Sequence, residues 1–257
     1  MARSVPTFAR LVLLASLSAC AASTGGAQQA DSTPGLRVLF IGNSLTATND
    51  LPGIVRALID SAGAGPVTIA TVAYPNFGLE DHWASGEARP AISGGDWDWV
   101  VLQQGPSATE GRPSLLEYSQ RFAGEIRARG AEPALYMVWP SQARSFDFDG
   151  VSESYRMAAE RVGGLLLPVG DAWRTAWAAD STLRLYGPDG FHPSTGGSYL
   201  AGLVMVGQFT DHSPVGLPSV VTTRLGEVRI DPETAAALQT AAAEALEQQG
   251  AGSRRQE

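Results

Sequence analysis

The chain is short of the residues that most reactive chemistry draws on. It has one cysteine, three histidines and no lysine among 257 residues. A single thiol closes no internal disulfide and cannot support a cysteine-rich zinc site, and with three imidazoles a metal centre would have to lean on carboxylates. Arginine is the only basic side chain, and 18 arginines stand against 26 acids for a formal charge of −8. Such a balance argues against nucleic acid as a partner, which needs a basic face. Charge is sparse overall, at 17% of residues against 44% hydrophobic, which argues against disorder; the 29 Gly and 16 Pro fall short of a collagenous or low-complexity chain. A folded globular protein remains, long enough for one full-sized domain with a buried core.

Long hydrophobic runs are also lacking. The apolar stretch at residues 11–17 follows Arg3 and Arg10 and is too short to cross a bilayer, which takes about 20 apolar residues. A basic start, a short apolar segment and small residues after it describe an export signal. The segment ends Leu17-Ser18-Ala19-Cys20, which resembles the lipobox of bacterial lipoproteins, in which the cysteine becomes the lipid-modified first residue of the mature chain. The resemblance implies lipidation at Cys20 and an exported, envelope-anchored protein, periplasmic or at the outer membrane if the host has two membranes. Removing residues 1–19 deletes two arginines and no acid, taking the formal charge from −8 to −10. No polybasic second signal is on offer, so contact with the membrane is expected through the lipid alone. Residues 20–35, small and polar, read as a flexible tether, and residues 250–257 as a disordered tail. The domain is expected over residues 36–249.

Within it, short apolar runs alternate with helical patterns. Strands are expected at residues 36–41 (LRVLFI), 67–73, 97–102, 134–138 and 165–169. Between and after them, helices are expected from residue 51, with Asn49 and Asp50 placed to cap it and Pro52 in its first turn, and at 114–129, 152–162, 195–209 and 232–248. Strands separated by helices imply parallel crossovers and a three-layer α/β/α sandwich around a parallel, flavodoxin-like sheet. In such sheets ligands bind beyond the carboxyl ends of the strands. The segments found there are GNSLT (42–46), YPNFGLEDHW (74–83), QQGPS (103–107) and WPS (139–141). They supply a hydroxyl, a glycine and amide side chains but no base.

The base lies far downstream, in Asp189-Gly190-Phe191-His192. A serine needs an imidazole to take its proton, and the imidazole needs a carboxylate to fix its tautomer. An acid three residues ahead of a histidine supplies both from one segment. His82 and His212 have Leu79 and Phe209 at that offset, and read as a structural and a surface residue.

GNSLT, a glycine loop, QQG and DGFHPS, in that order over residues 36–210, resemble the SGNH hydrolases, also called GDSL-type esterases. The resemblance implies Ser44 as nucleophile, with Asp189 and His192 as its acid and base. It implies an oxyanion hole from the backbone N–H groups of Ser44 and Gly78 and a side-chain amide. The family's usual Asp before the serine is Asn43 here, at a position that is chiefly structural. Its usual third-block Asn is absent, and Gln104 takes that place, with Gln103 the alternate. Asn76, Phe77, Gln103 and Trp139 are candidates for the substrate pocket. The implied activity is hydrolysis of acetyl or short-acyl esters of small molecules or carbohydrate, with no metal or cofactor. Two readings stand against it: a binding lipoprotein with a degenerate esterase cleft, and a flavodoxin-like phosphate binder, for which one glycine at the first turn is poor provision.

Overall fold

The computed structural model describes residues 1–2 and 35–253. Cys20 and most of the expected signal and tether therefore lie outside the described residues. The chain enters at β1 (Leu36–Gly42), whose central residues Val38, Leu39, Phe40 and Ile41 are fully buried. A run without alternation is what a strand covered on both faces requires, and each such side chain contributes about 1.5–3 kcal/mol on burial. It is followed by β2 (Val67–Ala73), β3 (Trp99–Leu102), β4 (Glu132–Tyr136) and β5 (Leu165–Leu167). All pair in parallel, in the order β2-β1-β3-β4-β5. The order turns back between β1 and β3, so the crevice for a ligand lies where those two strands end.

Helices cover both faces. On one, α2 (Leu51–Ala62) packs on α8 (Thr195–Thr210), and α8 on α7 (Val169–Ala179) and α9 (Pro232–Ser253). On the other, α3 (Leu79–Ser85) and α4 (Ala88–Ser93) pack on α5 (Arg112–Arg127), and α5 on α6 (Phe148–Val162). The short α1 (Ser44–Ala47) begins directly after β1. A hairpin, β6 (Val220–Thr223) and β7 (Gly226–Arg229), packs through β6 on α2. At the free edge of the sheet Gln249 of α9 donates its side-chain amide to the Leu166 carbonyl of β5 at 3.2 Å. Among the described residues no helix is long and apolar enough to cross a membrane.

The three-layer architecture is the one the alternating pattern predicts, with differences of detail. The last strand stops at Leu167, because Pro168 turns the chain straight into α7, a helix the sequence reading missed. The 74–83 loop winds into α3. The terminal helix reaches Ser253, taking up the first four residues of the expected tail. Asp50 precedes α2 in a left-handed conformation (φ 53°) and makes no capping bond. Its carboxylate instead meets Arg224, in the turn of the β6–β7 hairpin, at 3.1 Å.

Candidate active site

Ser44 is the first residue of α1, and its turn is tightly specified. Asn43 is the N-cap: its Oδ1 accepts the Leu45 N–H at 3.0 Å, and its Nδ2 donates to the Phe77 carbonyl at 2.9 Å. Fully buried Gln103, at the end of β3, accepts from the Asn43 N–H and the Thr46 hydroxyl, both at 2.8 Å, through one oxygen. Its Nε2 donates to the Gln104 carbonyl at 2.7 Å. Gly42 is required here, because a Cβ would stand 2.4 Å from Thr46 Oγ1 and 2.5 Å from Gln103 Oε1. His82 of α3, fully buried, donates Nε2–H to the Gly42 carbonyl at 2.7 Å, and its Nδ1 has no partner among the described residues. Desolvation lowers its pKa, so the ring is neutral and acts as a strut under the serine turn.

The downstream segment brings base and acid to this turn. His192 Nε2 lies 2.9 Å from Ser44 Oγ, and His192 Nδ1 lies 2.5 Å from Asp189 Oδ2. The other Asp189 oxygen accepts the backbone N–H groups of Phe191 and His192, both at 3.0 Å. The His192 hydrogen bond first, then that of the Phe191 N–H, pull the Asp189 pKa down to about 2. An ionised Asp189 requires a proton on Nδ1, which leaves the Nε2 lone pair facing the serine hydroxyl.

The loop is held from several sides. Gly187 N–H donates to the His192 carbonyl at 2.7 Å, and Gln142 N–H to the Gly190 carbonyl at 2.8 Å. Gly190 takes the left-handed conformation (φ 67°) that lets the chain turn between acid and base. From the serine side, Asn49 donates its amide to the Pro193 carbonyl at 3.1 Å and to Ser198 Oγ at 2.9 Å. The sequence reading missed this tie. Its signal was local: Asn49, Asp50, Asn76 and Ser107 are left-handed non-glycine residues, and all follow the ends of β1, β2 and β3. Such conformations cost energy and cluster where a site must be held in shape.

No protein-family model and no curated protein matches the sequence. Solved structures do match. A DUF4886 family protein from Bacteroides uniformis superposes with a TM-score of 0.67 at 20% identity, over 82% of this chain and 95% of that one. A protein from Slackia heliotrinireducens described as an SGNH hydrolase matches at 27% identity and a TM-score of 0.57, over 68% of this chain and 98% of its own. The lipase/acylhydrolase of Enterococcus faecalis matches at 16% identity and 0.57, over 68% and 96%. The chain has the fold of the SGNH hydrolases.

Within this fold the amide side of the site departs from expectation. Gln104 donates Nε2–H to Ser107 Oγ at 2.9 Å and to the Gly111 carbonyl at 3.1 Å, while its oxygen accepts the Leu79 N–H at 3.1 Å. Both of its N–H groups are therefore taken, and those of Gln103 are buried behind the serine turn. The Gly78 N–H is also engaged, by the Asp81 carboxylate at 2.8 Å at the start of α3. Of the three expected oxyanion donors, only the Ser44 N–H has no partner among the described residues. Loop register and amide rotamers decide these partners, and neither is written in residue spacing.

The expected pocket residues divide. Trp139 is fully buried, stacked on Trp173 at 3.7 Å, and donates its indole N–H to the Phe191 carbonyl at 3.0 Å, so it supports the acid–base loop rather than lining a pocket. Gln103 is buried likewise. Asn76 is exposed, and Phe77 packs its ring 5.1 Å from both Tyr74 and His82. His212 lies exposed at the end of α8. Among the described residues no group of three or more potential ligands could hold a metal. A cavity of about 750 Å³ lies well away from the serine, at the β5 edge, where Arg156 and Asp171 pair at 2.5 Å.

Proposed function

We propose that this SGNH-fold chain is a serine esterase, exported and lipid-anchored through Cys20, that removes acetyl or short acyl groups from small-molecule or carbohydrate esters. The observation that carries the reading is the unbroken relay from Ser44 through His192 to Asp189, at 2.9 and 2.5 Å. Ser44 Oγ attacks the ester carbonyl as His192 Nε2 takes its proton, and the alcohol leaves with that proton. Water then repeats the sequence on the acyl-enzyme and frees Ser44. Asp189 keeps the imidazole in the required tautomer and offsets its charge. The Ser44 N–H meets the oxyanion. Gly78 and Gln104 join it when the oxyanion competes successfully with Asp81, or with Ser107 and Gly111, for their N–H groups. One such donor is worth about 10²- to 10³-fold in rate, so activated esters are expected to turn over well and unactivated ones slowly.

The test is p-nitrophenyl acetate hydrolysis by residues 31–257 beside a Ser44→Ala variant; equal rates would end the proposal. The engaged amide donors favour a second reading, a degenerate cleft that binds without chemistry. Fluorophosphonate labelling separates the two, since labelling lost in Ser44→Ala requires an activated serine. For the anchor, Cys20→Ala is expected to move the protein from the membrane fraction to the soluble one.

A further inference from the structure

The loops after β3 and β4 enclose a cavity of about 270 Å³ that no role above employs. One wall is Ser107 and Gly111, the residues that hold the Gln104 amide. Phe191 also lines it, its ring centroid 5.4 Å from that of His192. The cavity therefore adjoins the base. Over it stand Arg144 and Asp147, joined by a single bond of 2.5 Å from Nε to Oδ2. That bond leaves the terminal guanidinium nitrogens and the second carboxylate oxygen without a hydrogen bond among the described residues.

The chemistry of these walls selects a ligand. A guanidinium beside a carboxylate presents paired donors and acceptors, which neighbouring hydroxyls of one ring can satisfy together. The half-buried Phe191 ring offers an apolar face for the C–H side of such a ring. Glu110 joins Asp147 in the lining, so two acids outweigh one arginine and an anionic ligand is disfavoured. The volume lies just under the usual range of about 300–1,000 Å³ for ligand pockets, enough for one ring-sized group. A long acyl chain would leave the ion pair desolvated without recompense.

We propose that this cavity is the subsite for the alcohol part of the ester, and that it takes a neutral, polyhydroxylated ring, a single sugar residue. Its part in turnover rests on the serine-esterase reading, but its binding does not. The experiment compares p-nitrophenyl acetate, whose leaving group has no ring hydroxyls for Arg144 and Asp147 to bind, with an O-acetylated methyl xylopyranoside. The wild type is set beside Arg144→Gln and Asp147→Asn. KM for the sugar ester is expected to rise about tenfold in each variant, the loss of one or two hydrogen bonds, with its kcat and all p-nitrophenyl acetate kinetics unchanged. Calorimetry of the same sugar ester on Ser44→Ala, with and without Arg144→Gln, reads binding independently of turnover and is expected to show the same weakening. Unchanged sugar-ester KM and binding in the variants, or equal losses on both substrates, would overturn the subsite. Full p-nitrophenyl acetate turnover by Ser44→Ala would overturn the esterase reading alone and leave the calorimetry to decide the subsite.

Discussion

The two halves of the relay are built by different means. Ser44 sits over an interior that is almost wholly closed: Thr46, His82 and Gln103 are fully buried, and Asn43 nearly so. The acid–base segment is open to water, with the Asp189 and His192 side chains 52% and 36% exposed. Burial and side-chain hydrogen bonds fix the first half, whereas the second is fixed through its backbone, by bonds from neighbouring loops and from the Asn49 and Trp139 side chains. A change at the serine turn should therefore cost stability, whereas a change in the acid–base loop should cost rate and leave the fold standing.

The largest effect should break the relay at its exposed end. Asp189→Asn preserves the shape but lets the imidazole take the wrong tautomer, and kcat is expected to fall about 10⁴-fold while the protein stays folded. The same residue sets an acid limit on the loop. Its carboxyl titrates at about 2 when folded and at about 3.9 when unfolded. A depressed folded pKa means that its stabilising contribution is complete above about pH 4 and is lost as pH falls toward 2. An acid melting series that shows no difference between wild type and Asp189→Asn over that window would contradict this account.

Gln103→Ala tests the opposite side of the comparison. It strands the buried Asn43 N–H and Thr46 hydroxyl, and urea denaturation is expected to show a loss of about 2–4 kcal/mol, more than any single change in the acid–base loop. Asn49→Gly probes the tie between the halves. Glycine keeps the left-handed backbone but removes the amide held by Pro193 and Ser198, so kcat should fall about tenfold with little change in Tm. In a His192→Ala background the same substitution should cost nothing further, and an additive loss would show that Asn49 does not act through the base. The smallest effect concerns His82. Its pKa is depressed on folding by burial, so the unfolded chain binds the extra proton and stability declines as pH drops below about 6.5. His82→Gln should flatten that part of the Tm profile.

Much of this was legible in the chain because it depends on composition along a strand or on spacing within a loop. Residues 36–41 read as a strand buried on both faces, and four of the six are fully buried in the sheet. Asp189 and His192 were three apart, and the structure brings both to Ser44 across 145 and 148 residues of sequence. Other features depend on what the chain meets after folding. Gln104 and Gln103 are the same residue type side by side, yet one spans two loops and the other braces the serine turn, because alternation along β3 sends them to different sides. Asp50 looked like a helix cap until Arg224 arrived from a hairpin whose short strands carry little apolar signal. Trp139 was as credible a pocket wall as any aromatic residue after a strand, and only its stacking on Trp173 shows that it belongs to the interior.

The bond from Gln249 to the Leu166 carbonyl bears on how the protein can be handled. The strand it touches is three residues long and lies at the open side of the sheet, where unpaired backbone groups can recruit a strand from another molecule. Trimming the chain back to residue 248 would remove the amide that occupies this edge while leaving the Ser44, His192 and Asp189 arrangement untouched. A shortened protein of that kind is expected to keep its chemistry and to self-associate more than the full chain, read by sedimentation of the two side by side. On that expectation C-terminal fusions belong beyond the last turns of α9.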